Sequence, residues 1–511
     1  MKFVSAAGIR DGEGEAIRRN PALDRAMMDA AGMGLAHAIR SIARHLDPPD
    51  PGVRLLAGPG NNGGDVFAAA VYLAEMGMNP EVWLASSVPQ LKGAARHFYQ
   101  AMAAARIPFQ ERTAEEDWAS TLSEVRPPSL LVDGLLGTGS KGAPRGIIAC
   151  AAAYLRRRRN ESLILSVDIP TGMDADTGTV ADGAVQADFT VTMEHPKAGM
   201  AASPARECLG SLWRVPVGLP AKFAQAIPDA LPGLQWISEQ DVRNVLPPRP
   251  RESHKGHYGT AMLLGGMPPY PGAIVLAAEG AVRSGAGLVR VAASEAAVSA
   301  IAARIPAAIA GADLSADLPL EGISAILAGP GLGRDPEARR LVARLLHEAA
   351  CPLVLDADAL AILEGRSDAI RQCPAPVVLT PHPGELARLL GTSAAAIQQD
   401  RLAAVREAAD RTGATVILKG SGTLVAKEGE SVWINLNGNP GMACGGSGDV
   451  LAGLLAGLLA QRMDPFQAAC AAAWLHGAAG DVAALRKTRT AMNAADISRA
   501  LPDAFRQVGV R

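Results

Sequence analysis

Aromatic side chains are scarce in this sequence: phenylalanine, tryptophan and tyrosine together make up 4% of 511 residues. Stacking platforms for single-stranded nucleic acid are built from such rings, so that class of function is disfavoured. An excess of either charge is also lacking. Lysine and arginine number 49 against 51 aspartates and glutamates, a formal net charge of −2. That balance excludes a generally basic nucleic-acid surface and an acidic tail. Only six cysteines occur, Cys150, Cys208, Cys351, Cys373, Cys444 and Cys470, far apart and without a C-x-x-C pair. This spacing speaks against a disulfide framework, a zinc site and a redox dithiol, and predicts reduced thiols in a cytoplasm. Long apolar runs are missing too: the longest strongly apolar one, Leu451 to Ala460, is about half of what a membrane span needs. Met1 to Ile9 meets Arg10, Asp11, Glu13 and Glu15 at once, unlike a signal peptide. The expectation is a soluble cytoplasmic protein that engages neither nucleic acid nor membrane.

What is present is ordinary globular material, 49% hydrophobic and 20% charged, long enough for two to four domains at roughly 100–200 residues each. Both halves repeat a short apolar run, a glycine turn and an alanine-rich stretch. Val53–Ala57, Glu81–Ala85, Leu130–Val132, Leu163–Val167 and Asp188–Met193 read as strands in the first half. Thr260–Leu264, Leu288–Ala293, Ile323–Ala328, Pro352–Leu355, Val377–Leu379 and Thr415–Leu418 do so in the second. Strands alternating with helices predict an α/β fold with parallel sheets. Val215 to Arg251 holds seven prolines and reads as a linker, which puts the boundary near residue 225 and the domains at 1–224 and 225–511.

In open α/β sheets, ligands bind beyond the carboxyl ends of the strands. The first strand is followed by Gly58-Pro59-Gly60-Asn61-Asn62-Gly63-Gly64-Asp65. This contains G-x-G-x-x-G, but Glu81 begins the next strand instead of ending it, so the dinucleotide fingerprint is half met. Two amides and a carboxylate suit a hard cation or a ribose. The third strand runs into Asp133-Gly134-Leu135-Leu136-Gly137-Thr138-Gly139-Ser140-Lys141-Gly142, a glycine-rich nest able to hold phosphate although it lacks the G-K-[ST] ending. The fourth ends in Asp168-Ile169-Pro170-Thr171-Gly172. Neighbouring strands thus deliver Asn62, Asp133 and Asp168 to one edge, where helix capping and turn formation are the competing roles.

In the second half, Gly329-Pro330-Gly331-Leu332-Gly333, Asp356-Ala357-Asp358 and Thr380-Pro381-His382-Pro383-Gly384-Glu385 follow strands. The prolines flanking His382 keep its backbone extended and mark it as a functional candidate, while His254 and His257 read as loop residues. Gly445-Gly446-Ser447-Gly448-Asp449 precedes a leucine-rich helix. The free N–H groups of such a helix start make an anion site, and a carboxylate beside bound phosphate suggests a base for an attacking hydroxyl. Gly453 and Gly457 read as packing glycines.

Asn61-Asn62-Gly63-Gly64-Asp65, the stretch from Val132-Asp133 to Gly137-Thr138-Gly139, and Asp168-Ile169-Pro170-Thr171-Gly172 resemble the NAD(P)H-hydrate epimerase family. Gly329–Gly333, Thr380–Glu385, Lys419-Gly420-Ser421-Gly422-Thr423 and Gly446–Asp449 resemble the NAD(P)H-hydrate dehydratase family. Their order is that of bifunctional NAD(P)H-hydrate repair enzymes. The resemblance implies a Rossmann-like three-layer α/β/α sandwich followed by a ribokinase-like α/β domain. In the first, Asn62, Asp133 and Thr171 would hold potassium, with Thr171 where serine is usual. Asn61, Asn62, Gly63, Gly64, Asp65, Gly137, Thr138, Gly139, Ser140, Lys141, Gly142, Ala143 and Asp168 would face the hydrate, with Asp168 also catalytic. In the second, Ala273, Gly331, His382 and the catalytic Asp449 would face the hydrate. Lys419, Gly420, Ser421, Gly422, Thr423 and Gly448 would hold ADP, used with Mg2+. NADH hydrate, NADPH hydrate and ADP are then the small-molecule partners, and a homo-oligomer is expected. The rival readings are a small-molecule kinase of the same fold and a first half that is only a nucleotide-binding scaffold.

Overall fold

Strand and helix follow from where the apolar residues fall. In the computed structural model, which describes residues 1–46, 52–119, 121, 127–315 and 317–510, the chain divides into two compact units, Met1–Pro232 and Gly233–Arg511. The first unit is a seven-stranded sheet of β1 (Val53–Ala57), β2 (Pro80–Leu84), β3 (Phe109–Glu111), β4 (Leu130–Gly134), β5 (Leu163–Val167), β6 (Phe189–Met193) and β7 (Ser211–Val215). Its order is β3-β2-β1-β4-β5-β6-β7, parallel throughout. β1, β4 and β6 are buried along their whole length, so both faces are covered and the unit has three layers. The order reverses between β1 and β4, which opens a crevice at their carboxyl ends.

The second unit carries ten strands: β8 (Leu234–Trp236), β9 (Thr260–Leu264), β10 (Leu288–Ala292), β11 (Ile309–Gly311), β12 (Ala325–Ala328), β13 (Leu353–Leu355), β14 (Val377–Leu379), β15 (Thr415–Leu418), β16 (Thr423–Ala426) and β17 (Val432–Asn435). Their order is β11-β10-β9-β12-β13-β14-β15-β16-β17-β8. From β11 to β15 neighbours run parallel, and the switch point lies between β9 and β12. The fold class is the expected one, α/β in both units.

Two expectations need correction. The sheet is not purely parallel: β16 pairs antiparallel with both β15 and β17. The proline-rich stretch is no bare linker either. It holds helices Ala221–Ala226 and Glu239–Val245, and β8 pairs parallel with β17. Prolines at helix starts and between elements are compatible with both. Among the described residues one helix, Pro465–Lys487, is long and apolar enough to cross a membrane, yet 89% of its most apolar window is buried. It packs against helices Ser447–Ala460 and Ala494–Gln507 as a core element.

Helix Ser447–Ala460 lies on helix Pro271–Arg283 and over β9, β12 and β13. Its approach is set by missing side chains. A Cβ at Gly453 would fall on the Ala277 carbonyl, and one at Gly457 on the Ser284 hydroxyl. Gly453→Ala is therefore expected to destabilise the second unit by about 1–3 kcal/mol, the usual cost of overpacking. Denaturant unfolding checks this, and an unchanged midpoint would show that the two helices can move apart.

Candidate active sites

In the first unit, three loops at strand ends are laced together by side chains. Asn62, in the first turn of helix Asn61–Glu75, donates from Nδ2 to the carbonyls of Leu136 (3.0 Å) and Val167 (2.8 Å). Gly137 lies against that amide, where a Cβ would strike Oδ1. Asp133, fully buried near the end of β4, accepts from Ser166 Oγ (2.9 Å), Thr171 N (2.9 Å) and Thr171 Oγ1 (2.7 Å). Thr171 Oγ1 in turn accepts from Leu136 N at 3.1 Å. Burial raises the Asp133 carboxyl above its ordinary range, and the bonds from Thr171 and Ser166 partly oppose it. Asn62, Asp133 and Thr171 thus belong to one linked set.

Asp168 follows β5 with φ +65°, in the left-handed region that a non-glycine residue rarely adopts. Its Oδ1 accepts from Met193 N (3.1 Å) and is paired with the Lys197 ammonium. Lys197 is 1% exposed and also donates to Thr192 Oγ1 (2.9 Å) and the Met193 carbonyl (3.1 Å). Reading the sequence did not single out Lys197. The only local signal was a lysine in the His195-Pro196-Lys197 turn after an apolar strand. Of the residues expected to face a hydrate, Asn61 and Lys141, Gly142 and Ala143 are exposed, and Thr138 and Ser140 are partly so. Gly63 and Gly64 are buried. A Cβ on them would meet the Gly58 carbonyl and the Met28 thioether, so close packing accounts for both glycines.

In the second unit, the ends of β13, β14 and β15 converge on Lys419. Its Nζ lies 2.8 Å from Asp356 Oδ1 and 3.7 Å from Glu385 Oε2, and Thr380 Oγ1 donates to the same Asp356 oxygen at 2.8 Å. Burial pushes the Lys419 ammonium down, but Asp356 and Glu385 more than offset this and hold it above its ordinary value. Helix Ser447–Ala460 starts at Gly446, whose φ of +91° suits glycine. A Cβ on Gly448 would lie 3.2 Å from Lys419 Nζ, so the ammonium sits beneath the first turn. There the Asp449 carboxyl is pushed up to about 7 by burial, then by Asp356 and Glu385, with Lys419 opposing. Behind it, Ser447 Oγ meets His476 Nε2 at 3.4 Å, and burial lowers that imidazole to about 4, so it is neutral at pH 7.

The loop Lys419–Thr423 is clasped by Arg401, whose guanidinium donates to the carbonyls of Leu418 (3.3 Å), Lys419 (3.4 Å) and Gly422 (3.2 Å). Gly331, φ +61°, is packed beside Ala273: a Cβ there would lie 3.4 Å from the Ala273 methyl. His382 has a role that the flanking prolines did not reveal. Its Nδ1 accepts from Gly384 N (3.0 Å) and Glu385 N (3.3 Å), capping helix Pro383–Leu390, while Glu385 Oε2 accepts from His382 N at 2.8 Å. The ring is half exposed, with Nε2 3.5 Å from Glu385 Oε1. Asp356, Glu385 and Arg401 were not predicted as site residues.

Because the Asp449 carboxyl is raised from 3.8 to about 7, the folded state holds a proton that the unfolded chain releases near pH 4. The associated stability is present below that pH and is lost as pH rises through 7. Asp449→Asn should therefore melt at a higher temperature than the parent at pH 8 and show no gain at pH 4. Equal melting temperatures at both pH values would refute a strained carboxylate.

Residues 24–199 match the family described as YjeF-related protein N-terminus, and residues 261–503 the family described as NAD(P)H-hydrate dehydratase. The bifunctional NAD(P)H-hydrate repair enzyme of Moorella thermoacetica is 37% identical over 505 residues, which cover 94% of this chain and 92% of that protein. The Escherichia coli enzyme of the same name is 34% identical over 454 residues, 87% of this chain and 83% of that one. A crystal structure of the ADP/ATP-dependent NAD(P)H-hydrate dehydratase from Bacillus subtilis, co-crystallized with ATP and Mg2+, matches with a TM-score of 0.51 at 36% identity. It covers 54% of this chain and 100% of its own. With similarity of this extent running through both units, the chain belongs to the family of bifunctional NAD(P)H-hydrate repair enzymes.

Proposed function

We propose that the first unit, residues 1–224 in the sequence reading, interconverts the R and S hydrates of NADH and NADPH. The second, residues 225–511, dehydrates the S form with ADP, releasing AMP and orthophosphate in the cytoplasm. The observation that carries this reading is Asp449: a raised carboxyl at the open amino end of a helix, beside the Lys419–Asp356 pair. The hydrate bears a hydroxyl on a saturated carbon next to the ring nitrogen, and hydroxide leaves poorly. Asp449 takes the hydroxyl proton and the oxygen attacks the terminal phosphoryl group, whose charge the helix amides and Lys419 neutralise. The nitrogen lone pair then expels phosphate, the neighbouring carbon gives up a proton, and the dihydropyridine is restored. Ala273, Gly331 and His382 would flank the hydrate, while residues 419–423 and Gly448 would hold the nucleotide.

Among the described residues no three His, Cys, Asp or Glu side chains converge as a metal site. Mg2+ used with ADP would supply further positive charge at the phosphate groups that Lys419 and the helix amides face. Asn62, Asp133 and Thr171 fit potassium by chemistry: an amide oxygen, a fully buried carboxylate and a hydroxyl, all hard oxygen donors in one linked set. Bound there, potassium would supply a positive charge that fixes the loops lining the hydrate pocket, formed by residues 61–65 and 137–143. Asp168, held by Lys197, is the acid–base group of that pocket.

Absorbance at 340 nm tests the whole reading, because dihydronicotinamide absorbs there and its hydrate does not. Mixed R and S hydrates should recover fully with ADP, and Asp449→Asn should recover about 10²–10⁴-fold more slowly. Recovery that stops at the S fraction would remove the epimerase, and a stable phosphorylated product without orthophosphate would make the protein a kinase. Potassium should also raise the melting temperature of the parent and of Thr171→Ser but not of Thr171→Val. An equal rise in all three would exclude the assigned ligand set.

A further inference from the structure

Helix Ala6–Arg19 is tied to two walls of the first unit's site. Val4 N donates to the Pro196 carbonyl (3.0 Å) and Ala198 N to the Val4 carbonyl (2.9 Å), which fixes the segment along the turn carrying Lys197. Ala6 N donates to Asp176 Oδ1 at 2.6 Å, and Arg10 Nη1 to the Thr138 carbonyl at 3.2 Å. Glu13 stands three residues beyond Arg10, on the same helix face. It is partly buried, and the charged groups that face it are Lys197, Asp168, Glu194 and Asp65. On the neighbouring helices, Lys222 turns onto the Phe223 ring and Asp29 accepts from Tyr72. Asp65 is 8% exposed, and its carboxylate accepts no hydrogen bond from the described residues. A buried carboxyl left in this state is unusual and marks this face of the site.

The geometry points to Glu13 as the second acid–base group of the epimerisation, working opposite Asp168, an inference that rests on the first unit being the epimerase. Its surroundings contrast with those of Asp168, which contacts the Lys197 ammonium. Burial pushes the Glu13 carboxyl up to about 7, and Asp168 and Glu194 add to this against Lys197. A carboxyl raised to about 7 beside one that is paired with an ammonium suits the two to opposite tasks. Asp168 removes the hydroxyl proton, that oxygen's electron pair forms the carbonyl, and the bond from carbon to ring nitrogen breaks. Glu13 delivers a proton to the nitrogen, which keeps the bonding pair. After the aldehyde turns, the nitrogen attacks its other face. Glu13 takes its proton back and Asp168 returns the other to oxygen, so the step needs no co-reactant. Glu13 lies ahead of residues 24–199, which match the family described as YjeF-related protein N-terminus.

The R-to-S rate, followed by chromatography across pH 5–9, tests this. The parent should lose activity as pH rises through about 7, because an acid pushed up to about 7 must carry its proton to act. Glu13→Gln should lower the rate about 10²–10⁴-fold and abolish that alkaline limb. Glu13→Asp should recover part of the rate and keep the limb. A parent without R-to-S activity would overturn the epimerase reading itself. An active parent lacking the alkaline limb, or a folded Glu13→Gln chain with an unchanged profile, would overturn the role of Glu13 alone. Should Glu13→Gln not fold, the parent's profile and that of Glu13→Asp still decide.

Discussion

A parallel strand covered on both faces can carry charge away from its ends only where a partner meets it, as Arg54 of β1 meets Glu81 of β2, and this constraint organises the molecule. β1, β4 and β6 have no exposed position, and Asp133 occurs in β4 only where that strand is about to leave the sheet. Because neighbouring strands run the same way, their carboxyl ends gather, and the reversals of order at β1/β4 and β9/β12 part the loops there. Glycines let those loops approach one another and the helices that follow. The candidate sites stand where the sheets offer room for polar groups.

Both units meet the same electrostatic difficulty with the same device, a lysine against a buried aspartate after a strand: Lys197 with Asp168, Lys419 with Asp356. Removing one member of such a pair strands the other, at a cost of about 3–5 kcal/mol, so the pairs are structural as well as chemical. Each also involves a non-glycine residue at positive φ, Asp168 itself at φ +65° and Ala357, next to Asp356, at φ +48°. The pairs differ in what they hold. Lys197 grips the proposed reacting acid itself, whereas Lys419 grips a neighbour and leaves Asp449 outside the pair, burdened by two nearby carboxylates.

Much of this was readable from the sequence, for definite reasons. Val53–Ala57, Leu163–Val167, Thr260–Leu264, Val377–Leu379 and Thr415–Leu418 are mostly apolar, β-rich runs, and their limits are those observed. Asn62, Asp133 and Asp168 stood out in the loops that follow such runs, and Asp449 because a glycine loop delivers it to the start of a leucine-rich helix. β16 and β17 were not foreseen: four-residue strands in a hairpin carry little periodicity, and their pairing direction depends on partners elsewhere. β8 was hidden by the surrounding prolines. Glu13, Lys197 and Arg401 were illegible for another reason. Each is an unremarkable charge on a helix or turn, and only the folded chain brings it to a site. His382 shows the converse, since flanking prolines that singled it out also mark the start of the helix that its ring caps.

The Arg401 clasp bears on how a nucleotide would be received. One guanidinium bonded to the carbonyls of Leu418, Lys419 and Gly422 fixes a turn that glycines at 420 and 422 would otherwise leave floppy. The disorder of that turn is then removed when the chain folds, not when a ligand arrives. Immobilising a loop on binding weakens association, and this loop is already tethered at three carbonyls. The same bonds turn three carbonyl oxygens toward the arginine, so the lone pairs they commit there do not face an incoming phosphate.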